Sequence, residues 1–571
     1  MKLSRRTVVK GGLAAAAQFM VGCSVTGFTE STRPLLGFKP VPFSAGTGPM
    51  PAISEDYEYE VVIPWGTPLQ PDGPEYQYPP SAEDQALQVG IGHDGMAFFP
   101  TGVDEGMLAI NHEYGRNSHI LGKLTPTSLA DVRTSQHAHG AGVVKIAKVN
   151  GSWQRVASDH ARRFHGNSEA TFSGPVAGTE WLKNGADNTP RGTVSNCSNG
   201  QTPWNTYLTC EENFNLYFGA NGAFEPNPSQ QRYGLKAQSW FGWYLFDSRF
   251  DLSNPEFENE SNRFGWVVEI DPFDANQIPV KRTALGRLKH EGAAQTVGQD
   301  GRVVVYMGDD QRFEHIYKFV SSGNWKEMRS RGVSPLDEGV LYVARFDEGG
   351  SGEWLPLTID NPKLKDKFSD QADILVNVRL AATELGATPM DRPEWTTVAS
   401  NGDVYCTLTN NSERTTPNAA NPQAPNPHGH IIRWRDSDNH IGTSFSWDIF
   451  LLSDDHYDEE HTFASPDGLW ADPDGRLFVM TDGGQRDKHN NQLLVSDTNT
   501  GEIRRLLTGV AGCEVTGISA TPDRRTLFVN VQHPGNGDPA LSNFPHSPDQ
   551  TTIPRDCTLA LRRKDGGIVG S

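Results

Sequence analysis

Residues 467–483 read Asp-Gly-Leu-Trp-Ala-Asp-Pro-Asp-Gly-Arg-Leu-Phe-Val-Met-Thr-Asp-Gly. An acidic entry, Asp467, leads through a turn at Asp474-Gly475 to an apolar run at 477–480, which ends in the polar exit Thr481-Asp482-Gly483. An Asp-Gly pair between apolar runs predicts a β-hairpin. The same pattern recurs along the chain. Glu291-Gly292-Ala293 leads through Asp300-Gly301 to residues 303–307 and Gly308-Asp309-Asp310. Glu394-Trp395-Thr396 leads through Asn401-Gly402 to residues 404–408 and Thr409-Asn410-Asn411. Glu514-Val515-Thr516 leads through Asp523-Arg524 to residues 526–529 and Asn530. A diverged copy runs from Asp94-Gly95 to Asn111-His112-Glu113, and another ends at Cys210-Glu211-Glu212. About six such units predict an all-β fold, a six-bladed β-propeller with long loop insertions. The innermost strand of each blade would line a central channel. Acids at matching positions would then converge on one axis as a ring of oxygen ligands.

The chain has 571 residues, with 58 Gly, 38 Pro and 13 Trp. Length alone suggests about 3–4 domains, but a closed repeat fold can use the whole chain as one. We expect an export signal over 1–23, an extended lead-in over 24–55, and a single propeller domain over 56–571. A net charge of −20 argues against nucleic-acid binding through a basic face. It suits both plain solubility and acids gathered around cations. Ser4-Arg5-Arg6-Thr7-Val8-Val9-Lys10 precedes a short apolar run at 13–21, too short to span a bilayer comfortably. The paired arginines resemble a twin-arginine export signal, which implies the matching export machinery as a partner. Met20-Val21-Gly22-Cys23 resembles a lipoprotein cleavage box, so Cys23 is a candidate lipid anchor. The remaining cysteines are Cys197, Cys210, Cys406, Cys513 and Cys557, with no C-x-x-C zinc spacing. Closure of a propeller on itself leaves a monomer as the default state.

The cluster Thr209-Cys210-Glu211-Glu212-Asn213 sets a thiol beside two carboxylates. Carboxylates are hard ligands for Ca²⁺ or Fe³⁺, and a thiolate adds a soft ligand for a transition metal. Neighbouring acids raise a thiol's pKa, which disfavours Cys210 as a free nucleophile but not as a metal ligand. A lone buried Cys is more often a small hydrophobe. Asp94, Asp300 and Asp474 read as turn residues, whereas Glu291 and Glu394 stand beside apolar strands at equivalent phase. Arg392 lies two residues before Glu394, so both can face one side of an extended segment. There Arg392 could grip a phosphate bidentately or simply pair with the acid. No G-x-S-x-G elbow and no Walker-type loop occurs.

Asn111-His112-Glu113, Thr202-Pro203-Trp204, Cys210-Glu211-Glu212-Asn213, His290-Glu291-Gly292, Gly308-Asp309-Asp310 and Arg392-Pro393-Glu394-Trp395, with the twin-arginine leader, resemble PhoX-type alkaline phosphatases. The resemblance implies a six-bladed propeller that hydrolyses small phosphate monoesters in the periplasm or outside the cell. It implies Fe³⁺ and Ca²⁺ as cofactors, with Cys210 as the thiolate on iron. Glu211, Glu291 and Glu394 transfer first as metal carboxylates, followed by Glu212, Asp309 and Asp482. Asn111 and Arg392 would touch the phosphate. A multi-metal site can polarise the phosphoryl group, generate an oxygen nucleophile and stabilise the leaving alkoxide, so no protein nucleophile is required. Two alternatives stay open on the residues alone. One is a calcium-dependent propeller lactonase. The other is a non-catalytic propeller, stabilised by calcium, that binds a protein or glycan.

Overall fold

The computed structural model describes residues 34–456, 458–546 and 548–571. The export-signal reading, Cys23 and the first part of the lead-in lie outside these residues. Leu35–Ser571 form one compact unit. Leu36 and Phe38 pack into its core beside Tyr57, and Ala52–Ile53 pairs with the strand Ile503–Thr508. The described part of the lead-in is therefore built into the fold.

Among the described residues the main strands form six antiparallel meanders. Their innermost strands are His93–Gly102, Asn196–Gln201, His290–Val297, Pro393–Val398, Pro466–Ala471 and Glu514–Ala520. Each lies against the next, and the sixth returns to the first, closing a ring around a channel. The third and fourth meanders join through Ser351–Pro356 and Ser444–Leu452. The sixth is completed by the N-terminal strand Tyr57–Pro64, which pairs with the C-terminal strand Cys557–Arg563.

The strand sequences explain the packing. Residues 303–307 read Val-Val-Val-Tyr-Met, a continuous apolar run of the kind that marks a strand buried on both faces. Successive side chains point to opposite faces. Val303, Val305 and Met307 meet Leu208 and Val267 of the second meander. Val304 and Tyr306 meet Val404, Cys406 and Ile432 of the fourth. Equivalent layers fill the other gaps: Met96, Leu108 and Ile110 meet Phe528, and Ala97, Phe99 and Met107 meet Tyr207. The turns behave as their residues predict, with Gly402 and Gly475 both at positive φ, which glycine adopts without steric cost.

Inner strands begin, and the strands that follow them end, at the same face of the ring. The long connections 113–139, 212–266, 409–429 and 533–556 lie between second and third strands. They therefore all rise from that face. The predicted loop insertions wall in one mouth of the channel.

Candidate metal centre

Every inner strand places one acid or thiol at its start. Asp94, Cys197, Glu291, Glu394 and Asp467 are the second residues of their strands, and Glu514 is the first of its own. In all six meanders the pairing with the second strand shifts register at or just beyond this point. Such bulges re-aim side chains and are common beside active sites. A second tier comes from residues just past the second strands: Glu113, Glu212, Asp310, Asp482 and His533. These residues meet in sets, three of them drawn from both tiers, whose ligand-bearing atoms all lie within 4.8 Å of one another: Asp94, Glu113 and Cys197; Glu212, Glu291 and Asp310; Glu291, Glu394 and Asp467; and Glu113, Glu514 and His533.

The electrostatics are those of buried carboxyls that repel one another. Burial, with Glu394 and Glu212 nearby, holds Glu291 well above the usual carboxylate range. Burial and Asp310 do the same to Glu394. Burial pushes Asp94 up to about 6, and burial with Asp310 pushes Glu212 up to about 8. The Cys197 thiol lies 2.8 and 2.9 Å from the two Glu291 oxygens. Asp94 Oδ2, Glu212 Oε1 and Asp467 Oδ1 are buried without a hydrogen-bond partner. A buried carboxylate in that state is costly unless a cation pairs with it. The donor set, many hard oxygens with one soft sulfur, fits several multivalent cations.

Arg392 and Lys289 are cations beside the cluster. Arg392 Nε and Nη2 donate to the two Asp310 oxygens at 2.8 and 2.7 Å, and Nη2 lies 3.0 Å from Glu394. Its backbone sits at φ 56°, a strained left-handed conformation for a residue with a Cβ. Burial opposes the ionisation of Asp310, but Arg392 and then Lys289 outweigh it and hold that carboxyl below its ordinary range. The Arg392 side chain stays 29% exposed. Nη1 carries no hydrogen bond among the described residues.

Comparison with known proteins settles the kinship. A family model described as alkaline phosphatase PhoX matches residues 36–535. The chain belongs to the PhoX alkaline phosphatase family. The Pseudomonas fluorescens PhoX structure, in complex with vanadate as a transition-state analogue, is 44% identical. The match covers 94% of this chain and 99% of that one, with a TM-score of 0.88. A Dyadobacter fermentans protein of unknown function is 11% identical over 89% of this chain and 99% of its own, at a TM-score of 0.35. Among curated proteins none matches.

Within this PhoX-family centre, the structure brings together some of the residues singled out in the sequence and separates others. Glu212, Glu291, Glu394 and Arg392 meet at the axis. Asp482 is solvent-exposed nearby, and its charge acts on Arg392. Cys210 does not join them; it is buried in the apolar layer with Leu208, Val267 and Met307. Glu211 points away from the axis into a buried ion pair with Lys281 at 2.7 Å, and it accepts hydrogen bonds from the backbone N–H groups of Gly265 and Trp266. Asp309 likewise turns outward, to Arg379 and the Lys289 N–H. Asn111 is committed within the protein: it donates to the carbonyls of Cys197 and Ser198 and accepts from Tyr207. Asp94-Gly95 is not a turn but the start of the first inner strand.

Cys197 carried no signal in the sequence, Asp94 read as a turn residue, and of the pair Asp309-Asp310 the sequence favoured Asp309. Asp310 and Glu113 were legible from strand phase. Cys197 lies in Asn196-Cys197-Ser198-Asn199-Gly200, which is too polar to read as a strand.

Proposed function

We propose that the chain is an exported alkaline phosphatase that hydrolyses small phosphate monoesters at a centre of Fe³⁺ and Ca²⁺ held by the two tiers of acids. The observation that carries this reading is the convergence of one acid or thiol from every inner strand beside an anchored arginine. Family membership fixes the phosphatase class; the metals are inferred from the donors. Cys197 offers a thiolate to iron, with Asp94, Glu113 and Glu291 around it. The all-oxygen sets, Glu212–Glu291–Asp310 and Glu291–Glu394–Asp467, suit Ca²⁺. We read the six meanders as six blades.

Bound cations would supply Lewis acidity and charge neutralisation for the phosphoryl group and the leaving oxygen. The chain's own contribution is positioning. Asp310 fixes two nitrogens of Arg392 and thereby aims the remaining edge of the guanidinium at the non-bridging oxygens of a phosphate. Lys289, donating to Asn213 at 2.9 Å, adds positive charge beside the same acids. A twin-arginine leader and a monomeric state complete the proposal, with Cys23 only a candidate site of lipidation. No described helix is long and apolar enough to cross a membrane.

Elemental analysis and p-nitrophenyl phosphate hydrolysis, on protein purified from an exporting host without chelators, test it together. Iron with more than one calcium per chain, and activity lost on chelation, is the expected result. Calcium without iron, or activity indifferent to chelation, would overturn the metal assignment.

A further inference from the structure

Beside the mouth of the centre lies a cleft of about 250 Å³ lined by Arg116, Asn117, Ser118, Thr125, Trp240 and Phe241 among others. Trp240 is 52% exposed. It comes from the connection between the second and third strands of the second meander. Its ring lies 5.8 Å from that of Tyr114, centroid to centroid, and Tyr114 in turn lies 4.4 Å from the ring of His533. Tyr114 directly follows Glu113 in the chain, and both Glu113 and His533 belong to the acid cluster. One aromatic ring therefore separates the cleft from the metal centre. The Arg116 guanidinium sits over the Trp240 ring at 5.6 Å. Among the described residues it makes no ion pair with any carboxylate, although acids outnumber bases by 70 to 50 in this chain.

Building on the phosphatase reading, we propose that Trp240, Tyr114 and Arg116 form a subsite for the leaving group, selective for alcohols that carry a planar aromatic ring, such as the nucleoside of a nucleoside monophosphate. A large indole left half in water gains by being covered, and any base or aryl ring has a π-face to lay against it. A guanidinium at the rim adds cation–π attraction and draws in an anionic ester. An aliphatic leaving group such as glycerol offers no flat surface and would gain little. The phosphate itself would lie among the acids and Arg392, so the subsite acts on selectivity rather than on bond cleavage.

The test compares 5′-AMP with glycerol phosphate as substrates of the metal-loaded enzyme. Trp240→Ala is expected to lower kcat/KM for 5′-AMP about tenfold, the scale of losing one base–aromatic stack, and mainly through KM. Turnover of glycerol phosphate should stay within about twofold. Trp240→Phe should restore most of the loss, and Arg116→Ala should give a smaller loss of the same selectivity. Equal loss on both substrates, or none on 5′-AMP, would overturn the subsite while leaving the phosphatase reading intact. A wild-type enzyme that turned over neither substrate would overturn both.

Discussion

At the scale of single residues the centre depends on orientation. Arg392 holds a strained backbone and spends two of its nitrogens on Asp310, leaving one edge for substrate. Arg392→Ala should cost about 10²–10³-fold in kcat/KM, as for loss of one charge-stabilising donor. Arg392→Lys should recover only part, since an ammonium cannot hold Asp310 bidentately and face the substrate at once. Steady-state kinetics on folded, metal-replete variants decides this; a fully active Arg392→Ala enzyme would remove the role. Cys197→Ser should lower iron per chain, whereas Cys210→Ser should leave it unchanged, as elemental analysis can read. That pair of variants also measures what the sequence could and could not say. Glu211 and Glu212, or Asp309 and Asp310, are adjacent in the chain, yet one of each pair faces the axis and the other an arginine or lysine. A one-residue shift in strand phase exchanges the two faces. Bulges near these points further obscured the phase in the linear pattern.

At the scale of elements, adjacent inner strands approach closely at glycines. A Cβ on Gly200 would lie 2.1 Å from the Ala293 carbonyl oxygen of the next inner strand, and one on Gly517 would lie 2.2 Å from that of Asp94. Gly200→Ala should therefore push the second and third strands apart, cost about 1–3 kcal/mol as overpacking does, and loosen the Cys197–Glu291 contact. Thermal unfolding together with metal retention under mild chelation would register both effects. Behind the same strands, the buried Lys281–Glu211 pair anchors the edge of the second meander. Lys281→Ala would leave a buried carboxylate uncompensated and should cost about 3–5 kcal/mol. Denaturant unfolding should show this as a shift in midpoint, and Glu211→Gln in the same background should recover part of it. The hairpins were plain in the sequence because Asp-Gly and Asn-Gly turns carry their own geometry. The inner strand Asn196–Gln201 was not, because its polar residues serve the centre rather than a core.

At the scale of the whole molecule, cations and fold should be coupled. Ordinary Asp and Glu carboxyls titrate near 4, but folded Asp94 holds its proton to about 6 and Glu212 to about 8. From about pH 4 up to those values the folded, metal-free protein binds more protons than the unfolded chain, so its stability falls as pH rises. Chelated protein should melt at a lower temperature at pH 9 than at pH 5, and restoring cations should raise the melting temperature more at pH 9. Calorimetry across that range would show it; a flat profile for the stripped protein would mean that the acids are not coupled to folding. The ring has one further consequence, for how the protein is made. Its last sheet is sealed by residues 57–64 lying against residues 557–563, so an early strand must wait for a late one before the circle can shut. Earlier meanders can form in order, but the finished circle, and the full complement of acids around its axis, exists only once residues 557–563 have been made and have found their N-terminal partner.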